Sequence, residues 1–248
     1  MITGIAALSP RRGLMGRVGV SLLLLFAAPA RADLVDLQLI LAVDASESVN
    51  TERFELQMRG YAAALRDPAV LSAIGKGTRG RIAIAMFQWT GPARQAQVTN
   101  WTEVHDAASA AALATVIDAA PRHINWGGTS ISGAVLYALD WFARSPMPDA
   151  RRVIDISGDG ANNAGRPMAE VRDEAVAAGV TINGLPILWV EPGLAEHYRD
   201  EVIGGHGAFM IAIDDYGDFA DAIQRKLVSE IAGIVPRPSQ SAARTDRR

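Results

Sequence analysis

The sequence contains no cysteine, and this absence removes several chemistries at once. A disulfide scaffold, a thiol nucleophile, a zinc site built on cysteine and a lipid-anchored N-terminal cysteine are all excluded. The 248 residues are 49% hydrophobic and 21% charged, so a mostly disordered chain, a collagen-like repeat and a multi-pass membrane protein are not expected. A chain of this length buries roughly 70–75% of its unfolded surface on folding, and its core therefore needs no covalent staples.

Several catalytic and nucleotide-binding signatures are also missing. The sequence has no phosphate-binding loop ending in Gly-Lys, no GxGxxG after the first predicted strand, no GxSxG elbow and no HExxH. The segment beginning at Asp155 starts like an EF-hand loop, but its twelfth position is Arg166, where that loop needs a bidentate acid. The histidines lie in separate segments without ligand spacing, although the sequence leaves open their convergence in space. We interpret each as a surface or capping residue: His105, His123, His197 and His206.

Positive charge is scarce in the middle of the chain and concentrated at its two ends. Residues 1–32 carry four arginines and no acid, and residues 236–248 carry four arginines and one acid, Asp246. The body between them has 16 basic and 26 acidic residues, a net charge of −10 against −3 for the whole chain. Such an acidic body is poorly suited to binding nucleic acid or an anionic membrane, so neither is expected as a partner.

The first 32 residues have the three parts of a secretory signal peptide. A leader with three arginines precedes an apolar core, Val18–Ala28, and small residues stand at a cleavage site, Ala30–Ala32. Cleavage would leave a mature chain that begins near Asp33 and is periplasmic or secreted, with no membrane insertion. The alternative is a retained anchor, but an apolar run of this length forms a helix of only about 16 Å, roughly half of a hydrocarbon core.

One domain is predicted between the two ends of the chain. No internal repeat and no linker interrupts residues 33–235. Residues 236–248 begin with the polar, breaker-rich run PRPSQS, so this segment is predicted to be a disordered tail.

Within residues 33–235, apolar segments typical of strands alternate with segments of helical periodicity. The predicted strands are Leu37–Val43, Arg81–Trp89, Arg152–Ser157, Val180–Leu188 and Ala208–Ile213, with an edge strand at Gln95–Trp101. Helices are predicted around Phe54–Leu65, Val104–Ala119, Ile131–Phe142, Pro167–Gly179 and Phe219–Ile231. This alternation predicts an α/β, Rossmann-like fold with a doubly wound, mostly parallel sheet, helices on both faces and one antiparallel edge strand.

Three polar loops are predicted at the carboxyl edge of this sheet, where the binding residues of such folds gather. They are Asp44–Ser48 after the first strand, Gly127–Ser130 before a helix, and Ser157–Gly160 after a later strand. In the first loop an aspartate and two serines are spaced by two, so an extended chain would turn all three side chains the same way.

The side chains on these loops are hard oxygen ligands. They are two carboxylates, Asp44 and Asp159, and three hydroxyls, Ser46, Ser48 and Thr129. Oxygen ligands suit Mg²⁺, Mn²⁺ or Ca²⁺ better than zinc or copper. Two carboxylates balance a divalent ion only when they lie close together, and such a site leaves room for an oxygen from a partner.

The three loops resemble the metal-ion-dependent adhesion site (MIDAS) of von Willebrand factor type A domains. The match lies in DASES at Asp44–Ser48, GGTSISGAV at Gly127–Val135 and the Asp159-Gly160 turn, and the resemblance spans about residues 37 to 231. Within that superfamily, the segment VIDISGDGANNAG at Val153–Gly165 is similar to the corresponding segment of a group of uncharacterised exported bacterial proteins. The resemblance therefore implies a von Willebrand factor type A fold with a divalent-metal site.

The resemblance also implies a role for each candidate ligand. Ser46, Ser48 and Thr129 would contact the ion, directly or in one of two states. Asp44 and Asp159 would hold its waters, and a carboxylate from a protein partner would complete the shell. On this hypothesis the protein is an exported, non-enzymatic binding module that grips an acidic residue of its partner, in an oligomeric state that the sequence leaves open.

One position departs from the family pattern. The third loop of these domains usually has a small hydroxyl residue immediately before Asp-Gly, whereas Gly158 directly precedes Asp159 here. The loop could therefore bulge, and Asp155 becomes a competitor for the third-loop role. We favour a different interpretation of Asp155, a buried carboxylate hydrogen-bonded to nearby backbone or to Arg151 or Arg152.

Three other functions stay open at this point. A metal-dependent hydrolase would need a general base beside the ion. The near candidate is Glu47, but in an alternating motif its side chain would point away from the ion. An assembly subunit working with an ATPase inside cells conflicts with the predicted export. The third alternative is a structural domain with a vestigial site. Trp126 could rim a binding face, although an aromatic residue next to a loop more often packs over it.

Overall fold

The structure is a computed structural model of the chain, and it describes Met1, residues 34–147 and residues 149–236. The predicted signal peptide after Met1 and the predicted tail beyond Pro236 lie outside the described residues. Among those residues, no helix combines the length and the hydropathy that crossing a membrane requires.

Five strands form one sheet in the order β3-β2-β1-β4-β5. Their bounds are β1 Leu37–Asp44, β2 Ile82–Trp89, β3 Gln95–Val104, β4 Arg151–Gly158 and β5 Val180–Pro186. The β1 strand pairs in parallel with β2 and β4, β4 pairs in parallel with β5, and β2 pairs with β3 in the antiparallel sense. The predicted mostly parallel sheet with one antiparallel edge strand is therefore confirmed.

Helices cover both faces of this sheet. They are α1 Thr51–Arg66, α2 Pro68–Gly75, α3 Ala107–Asp118, α4 Ile131–Ala143, α5 Met168–Ala177, α6 Leu194–His197 and α7 Phe219–Ala232. A π-helical turn, Tyr198–Val202, continues α6, and a 3-10 turn, Tyr216–Asp218, precedes α7. The sequence predicted neither α2 nor α6, although Asp67 and Pro68 are a good cap and first residue for α2.

The side chains of β1 alternate between two hydrophobic cores. Leu37, Leu39 and Leu41 pack with α1, α2, α3 and α7, whereas Ile40 and Ala42 pack with α4, α5 and α6. All eight residues of β1 are buried. A strand covered on both faces reads as a continuous apolar run, which is why periodicity identified β1 correctly.

The predicted strand Ala208–Ile213 is wrong. This segment makes only isolated bridges to the edge of β5, at Met210 opposite Gly184 and at Ile213 opposite Ile187. Pro186 stands between the two bridges and has no N–H, so it cannot donate the ladder bond that would join them.

The boundary between β3 and α3 also differs from the prediction. The predicted edge strand ends at Trp101 and the predicted helix begins at Val104, but β3 runs to Val104 and α3 begins at Ala107. Asp106 sets the start, because its side chain accepts a hydrogen bond from the Ser109 amide while the Ser109 hydroxyl accepts one from the Asp106 amide.

Candidate metal centre

The carboxyl ends of β1 and β4 lie side by side, because the two strands are parallel neighbours with Val43 opposite Ser157. Asp44 is the last residue of β1, and Asp159 directly follows β4. Both side chains are fully buried, and the Asp159 amide donates a long hydrogen bond of 3.4 Å to Asp44 Oδ2. The sheet therefore brings the two predicted carboxylates together.

The first loop is a turn, not the extended segment that the alternating spacing suggested. The Ser46 amide donates to Asp44 Oδ1 at 2.7 Å, and the Val49 amide closes the turn onto the Ser46 carbonyl. Ser46 Oγ lies 3.2 Å from Ser48 Oγ, and Ser48 Oγ donates to Asp159 Oδ1 at 2.5 Å. Asp44, Ser46, Ser48 and Asp159 thus form one hydrogen-bonded cluster, although the backbone reason differs from the predicted one.

Two side chains that sequence reasoning missed hold this loop from outside. Gln57 on α1 donates its amide to the Asp44 carbonyl at 3.1 Å. Arg122 donates through Nη2 to the carbonyls of Ala45 at 2.9 Å and Ser46 at 2.8 Å. Both act on backbone oxygens far away in sequence, and neither carries a local signal that could have identified it.

Gly158 is accommodated in β4 without displacing Asp159. A Cβ on Gly158 would lie 2.9 Å from Asp44 Oδ2 and 3.2 Å from both the Trp89 ring and the Tyr198 hydroxyl. Glycine therefore leaves the space that the Asp44 carboxylate occupies. The departure from the family pattern has a packing reason at this position.

Asp159 occupies the third-loop position, and its two oxygens accept from different elements. Oδ1 accepts from Ser48, and Oδ2 accepts from the hydroxyl of Tyr216 at 2.9 Å. Tyr216 lies in the 3-10 turn before α7, and no local pattern in the sequence indicates that it reaches this edge of the sheet.

Asp155, the competitor for that position, lies elsewhere. It is buried on β4, and its Oδ1 is 2.8 Å from Nζ of Lys226 on α7. The favoured interpretation of a buried, paired carboxylate describes it correctly, but the expected pairing with Arg151 or Arg152 does not occur. Arg151 and Arg152 instead donate to backbone carbonyls near the start of β4.

The second loop is clamped to the third by its backbone. The Thr129 amide donates to Asn163 Oδ1 and the Asn163 amide donates to the Thr129 carbonyl, both at 2.9 Å. If Gly160, the residue after Asp159, had a Cβ, that atom would lie 3.3 Å from the Thr129 hydroxyl. Thr129 is 6% exposed and makes no side-chain hydrogen bond to either carboxylate among the described residues, so it stands beside the cluster with its hydroxyl unshared.

The two carboxylates form no ion pair with a lysine or arginine of the described ranges, although the Arg122 guanidinium, bound to the carbonyls of the same turn, is close enough for its charge to act on Asp44. No lysine or arginine of the described ranges lies within 4.0 Å of Asp44 or Asp159. Burial, and then the negative charge of Asp159, raise the pKa of Asp44 to about 7. Burial and the same two carboxylates raise the pKa of the Tyr216 hydroxyl well above its usual range, which keeps it a donor to Asp159.

This arrangement fits a divalent cation with hard oxygen ligands. Residues 34–147 and 149–236 contain no group of three or more His, Cys, Asp or Glu side chains placed to hold a metal ion. The available donors are instead the two carboxylates and the three hydroxyls that the sequence predicted. A cation placed between them would neutralise the buried charge, and its shell would need further oxygens from water or a partner.

The remaining predicted features lie around this cluster. Glu47 is exposed, in agreement with the expectation that it points away from the other loop side chains. Trp126 stands three residues before Thr129, and its side chain is 56% exposed. Near the site, His197 Nε2 accepts a hydrogen bond from the loop amide of Asn162 at 3.2 Å, and the side chain of His197 is mostly buried, so it is neither the surface residue nor the helix cap that we expected.

A model of the family described as "Protein of unknown function (DUF1194)" matches residues 34–235. No curated protein matches the sequence. Among solved structures, proximal thread matrix protein 1 from the mussel byssus has a TM-score of 0.59 at 15% identity, over 80% of this chain and 48% of that chain. Another structure of the mussel protein, with a TM-score of 0.58, has a zinc-occupied MIDAS motif.

Two bacterial structures show the same fold. The von Willebrand factor type A protein from Catenulispora acidiphila has a TM-score of 0.58 at 16% identity, over 81% of this chain and 43% of that chain. The corresponding domain of the type V pili tip protein Mfa5 from Porphyromonas gingivalis has a TM-score of 0.55 at 11% identity, over 84% and 99% of the two chains. The match to the mussel protein described above covers about half of that protein's length. The matches confirm the von Willebrand factor type A fold that the three loops predicted.

Proposed function

Since this chain belongs to the DUF1194 family, whose description assigns no activity, we propose a function from the site itself. The domain is an exported, non-enzymatic binding module that holds a divalent cation at the carboxyl edge of its sheet and through it binds an acidic residue of a protein partner. The observation that carries this proposal is the pair of fully buried carboxylates, Asp44 and Asp159, which form no ion pair with a described lysine or arginine and share hydrogen bonds with the hydroxyls of the first loop.

The five predicted residues would contribute to ion binding in two different ways. The hydroxyls of Ser46, Ser48 and Thr129 supply neutral oxygens, and Asp44 and Asp159 supply the negative charge. The turn fixes Ser46 and Ser48 in place, and the Tyr216 hydroxyl orients Asp159. The ion itself supplies the attraction for a carboxylate oxygen that an acidic protein would otherwise repel.

The donor set favours Mg²⁺, Mn²⁺ or Ca²⁺. All five side chains present oxygen, and such sites select hard cations by ligand type. The zinc in the mussel protein makes Zn²⁺ a necessary comparison. Export is proposed from the signal-peptide features of residues 1–32, and secretion of a tagged full-length chain tests it.

The proposal excludes a role for Glu47 as a general base. Its side chain is exposed and takes no part in the hydrogen bonds of the cluster, whereas a hydrolytic base must lie within hydrogen-bond reach of a water on the ion. Turnover of phosphoester or peptide panels that chelation abolishes and Glu47→Gln removes would favour the hydrolase alternative.

The first test is thermal unfolding of the purified protein in chelator and in excess Mg²⁺, Mn²⁺, Ca²⁺ or Zn²⁺. An ion at about 100 times its dissociation constant should add about 2.7 kcal/mol to the free energy of unfolding, a shift of several degrees. Asp44→Asn should abolish the shift, because it removes half of the charge that the ion balances. Glu47→Gln is the matched control, since it removes a carboxylate from the same turn and should keep the full shift.

Two results would contradict the proposal. One is the absence of any shift in the wild type together with no heat in a direct metal titration. The other is an equal loss of the shift in both variants, which would mean that general charge, and not this site, binds the ion.

A further inference from the structure

Arg94 lies over the ring of an exposed tryptophan, Trp126, which stands three residues before the candidate ligand Thr129. Its guanidinium carbon is 3.2 Å from the centroid of the Trp126 ring, and that ring is 56% exposed. The Thr90 hydroxyl donates to the Trp126 carbonyl at 2.9 Å, so the backbone carrying the ring is tied to the end of β2. A cation stacked on a tryptophan in this way is held in place while its edge stays open to solvent.

The backbone on both sides is shaped for this stack. The Arg94 amide donates to the Gly91 carbonyl and the Thr90 amide donates to the Arg94 carbonyl, both at 3.1 Å, which closes a tight turn. A Cβ on Gly127 would lie 2.8 Å from Arg94 Cδ. Glycine at 127 therefore lets the arginine side chain cross the second loop.

Three arginines surround the metal loops, and they differ in what their N–H groups do. Arg53 donates to the Ser48 carbonyl at 2.8 Å, and Arg122 donates to carbonyls of the same turn. Arg94 makes no side-chain hydrogen bond and no ion pair with any residue of the described ranges. Its planar fork of donors is thus preorganised and unused, which is the arrangement that binds a carboxylate in a bidentate manner.

We propose that the Arg94–Trp126 stack is a second anchor for an acidic protein segment that carries two nearby carboxylate side chains. This inference builds on the proposed function, since the first carboxylate binds the ion and the second binds Arg94. Trp126 precedes the candidate ligand Thr129 by three residues, so their Cα atoms are at most about 11 Å apart, a span that a short peptide segment can bridge. Arginine and tryptophan are also the residue types most often found in binding hot spots.

The test compares two synthetic glycine-rich peptides on the Mg²⁺-loaded protein, one with a single aspartate and one with two aspartates at varied spacing. Competition against a fluorescent peptide in excess Mg²⁺ and in chelator measures both affinities. At the best spacing the two-aspartate peptide should bind about tenfold more tightly, the value expected for one added charge-assisted bidentate contact. The advantage should shrink as ionic strength rises.

Arg94→Gln should remove that advantage and leave the affinity for the one-aspartate peptide unchanged. Arg81→Gln is the matched control, because Arg81 lies at the opposite end of β2, pairs with Glu103 at the surface, and carries the same charge. A control variant that keeps the tenfold preference shows that net charge alone does not explain it.

The outcomes separate this inference from the proposed function. If Mg²⁺ binds and both peptides bind equally, or if Arg94→Gln weakens both alike, the second anchor is wrong while the metal site stands. If no divalent ion binds in a direct titration, the proposed function fails and the second anchor fails with it.

Discussion

The β4 strand carries one buried carboxylate, Asp155, and the residue that directly follows the strand carries another, Asp159; each lies beside a second acid, but only one of the two pairs has an ion-pair partner. At its carboxyl end, Asp159 meets Asp44, and no described lysine or arginine lies within 4.0 Å. Four residues earlier, Asp155 lies with Glu230 around the ammonium group of Lys226. One pair forms ion pairs with a buried lysine of the chain, whereas the other forms none with a described lysine or arginine.

Asp155, Glu230 and Lys226, which we call the inner cluster, join β4 to α7 and make a further contact with β5. Lys226 Nζ lies 2.8 Å from Asp155 Oδ1 on β4 and 2.5 Å from Glu230 Oε1 on its own helix. Asn183 on β5 donates a further hydrogen bond to Glu230 at 2.9 Å. Lys226, Asp155 and Glu230 are all fully or almost fully buried, so this charge arrangement is closed to any external ion.

The comparison teaches what a pair of buried acids needs in order to become a binding site. Both pairs raise the pKa of one aspartate to about 7, mainly through burial. Only Asp44 and Asp159, which we call the outer pair, are joined by the neutral hydroxyls of Ser46 and Ser48 at the carboxyl ends of the strands. Lys226 closes the other pair to an external ion, whereas on the proposed function the outer pair takes its cation from solution.

The largest expected effect comes from removing the internal cation. Lys226→Met should lower the free energy of unfolding by about 3–5 kcal/mol, because it leaves two acids buried without a partner. Urea denaturation at neutral pH measures the loss. The triple variant that adds Asp155→Asn and Glu230→Gln should recover most of it, and a triple variant as unstable as Lys226→Met would show that packing, not charge, is the cause.

The outer pair should respond in the opposite sense. In chelator at pH 8, Asp44→Asn should raise the free energy of unfolding by about 1–2 kcal/mol, because it removes a buried negative charge that has no ion-pair partner. The same denaturation experiment, with Glu47→Gln as the control, measures it. A destabilised Asp44→Asn variant would mean that the two carboxylates are already neutralised without a metal ion.

The smallest expected effect is the pH dependence of the inner cluster. Burial and the charge of Glu230 raise the pKa of Asp155 in the folded state to about 7, above its ordinary value of 3.8, so the folded state holds the extra proton between these values. Stability therefore falls as pH rises through this window, by about 1 kcal/mol between pH 6 and pH 8. The titratable groups acting on Asp155 or influenced by it are Lys226, Glu230, Tyr61 and Tyr198.

Asp44 would add a similar slope in the protein without metal, so the measurement uses the Asp44→Asn background. Comparing that variant with Asp44→Asn/Asp155→Asn isolates the inner cluster. Equal slopes in the two variants would show that Lys226 keeps Asp155 ionised throughout.

Much of the fold was predictable because the sheet is covered on both faces. Strands such as β1 are then continuous apolar runs, and the amphipathic helices between them keep helical spacing. The failures lie where local pattern is a poor guide. Residues 208–213 have the composition of a strand, but the missing N–H of Pro186 in the neighbouring strand prevents a regular ladder.

The candidate site divides in the same way. The order of the three loops predicted Asp44, Ser46, Ser48, Thr129 and Asp159 as its residues, since parallel strands bring their carboxyl ends to one edge. The sequence could not place Tyr216 on Asp159 or Arg122 on the first loop, because those contacts join segments brought together only by packing.

The sequence by itself determined the alternation of strands and helices, the three loops and the oxygen ligands that they carry, because these depend on residues close together in the chain. The tertiary structure alone decided which acid meets which cation. Asp155 and Lys226 are 71 positions apart in sequence and pair only because α7 packs against β4. Charge compensation depends on distance in space, and so only the folded protein decides which buried acids form an ion pair with a cation of the chain.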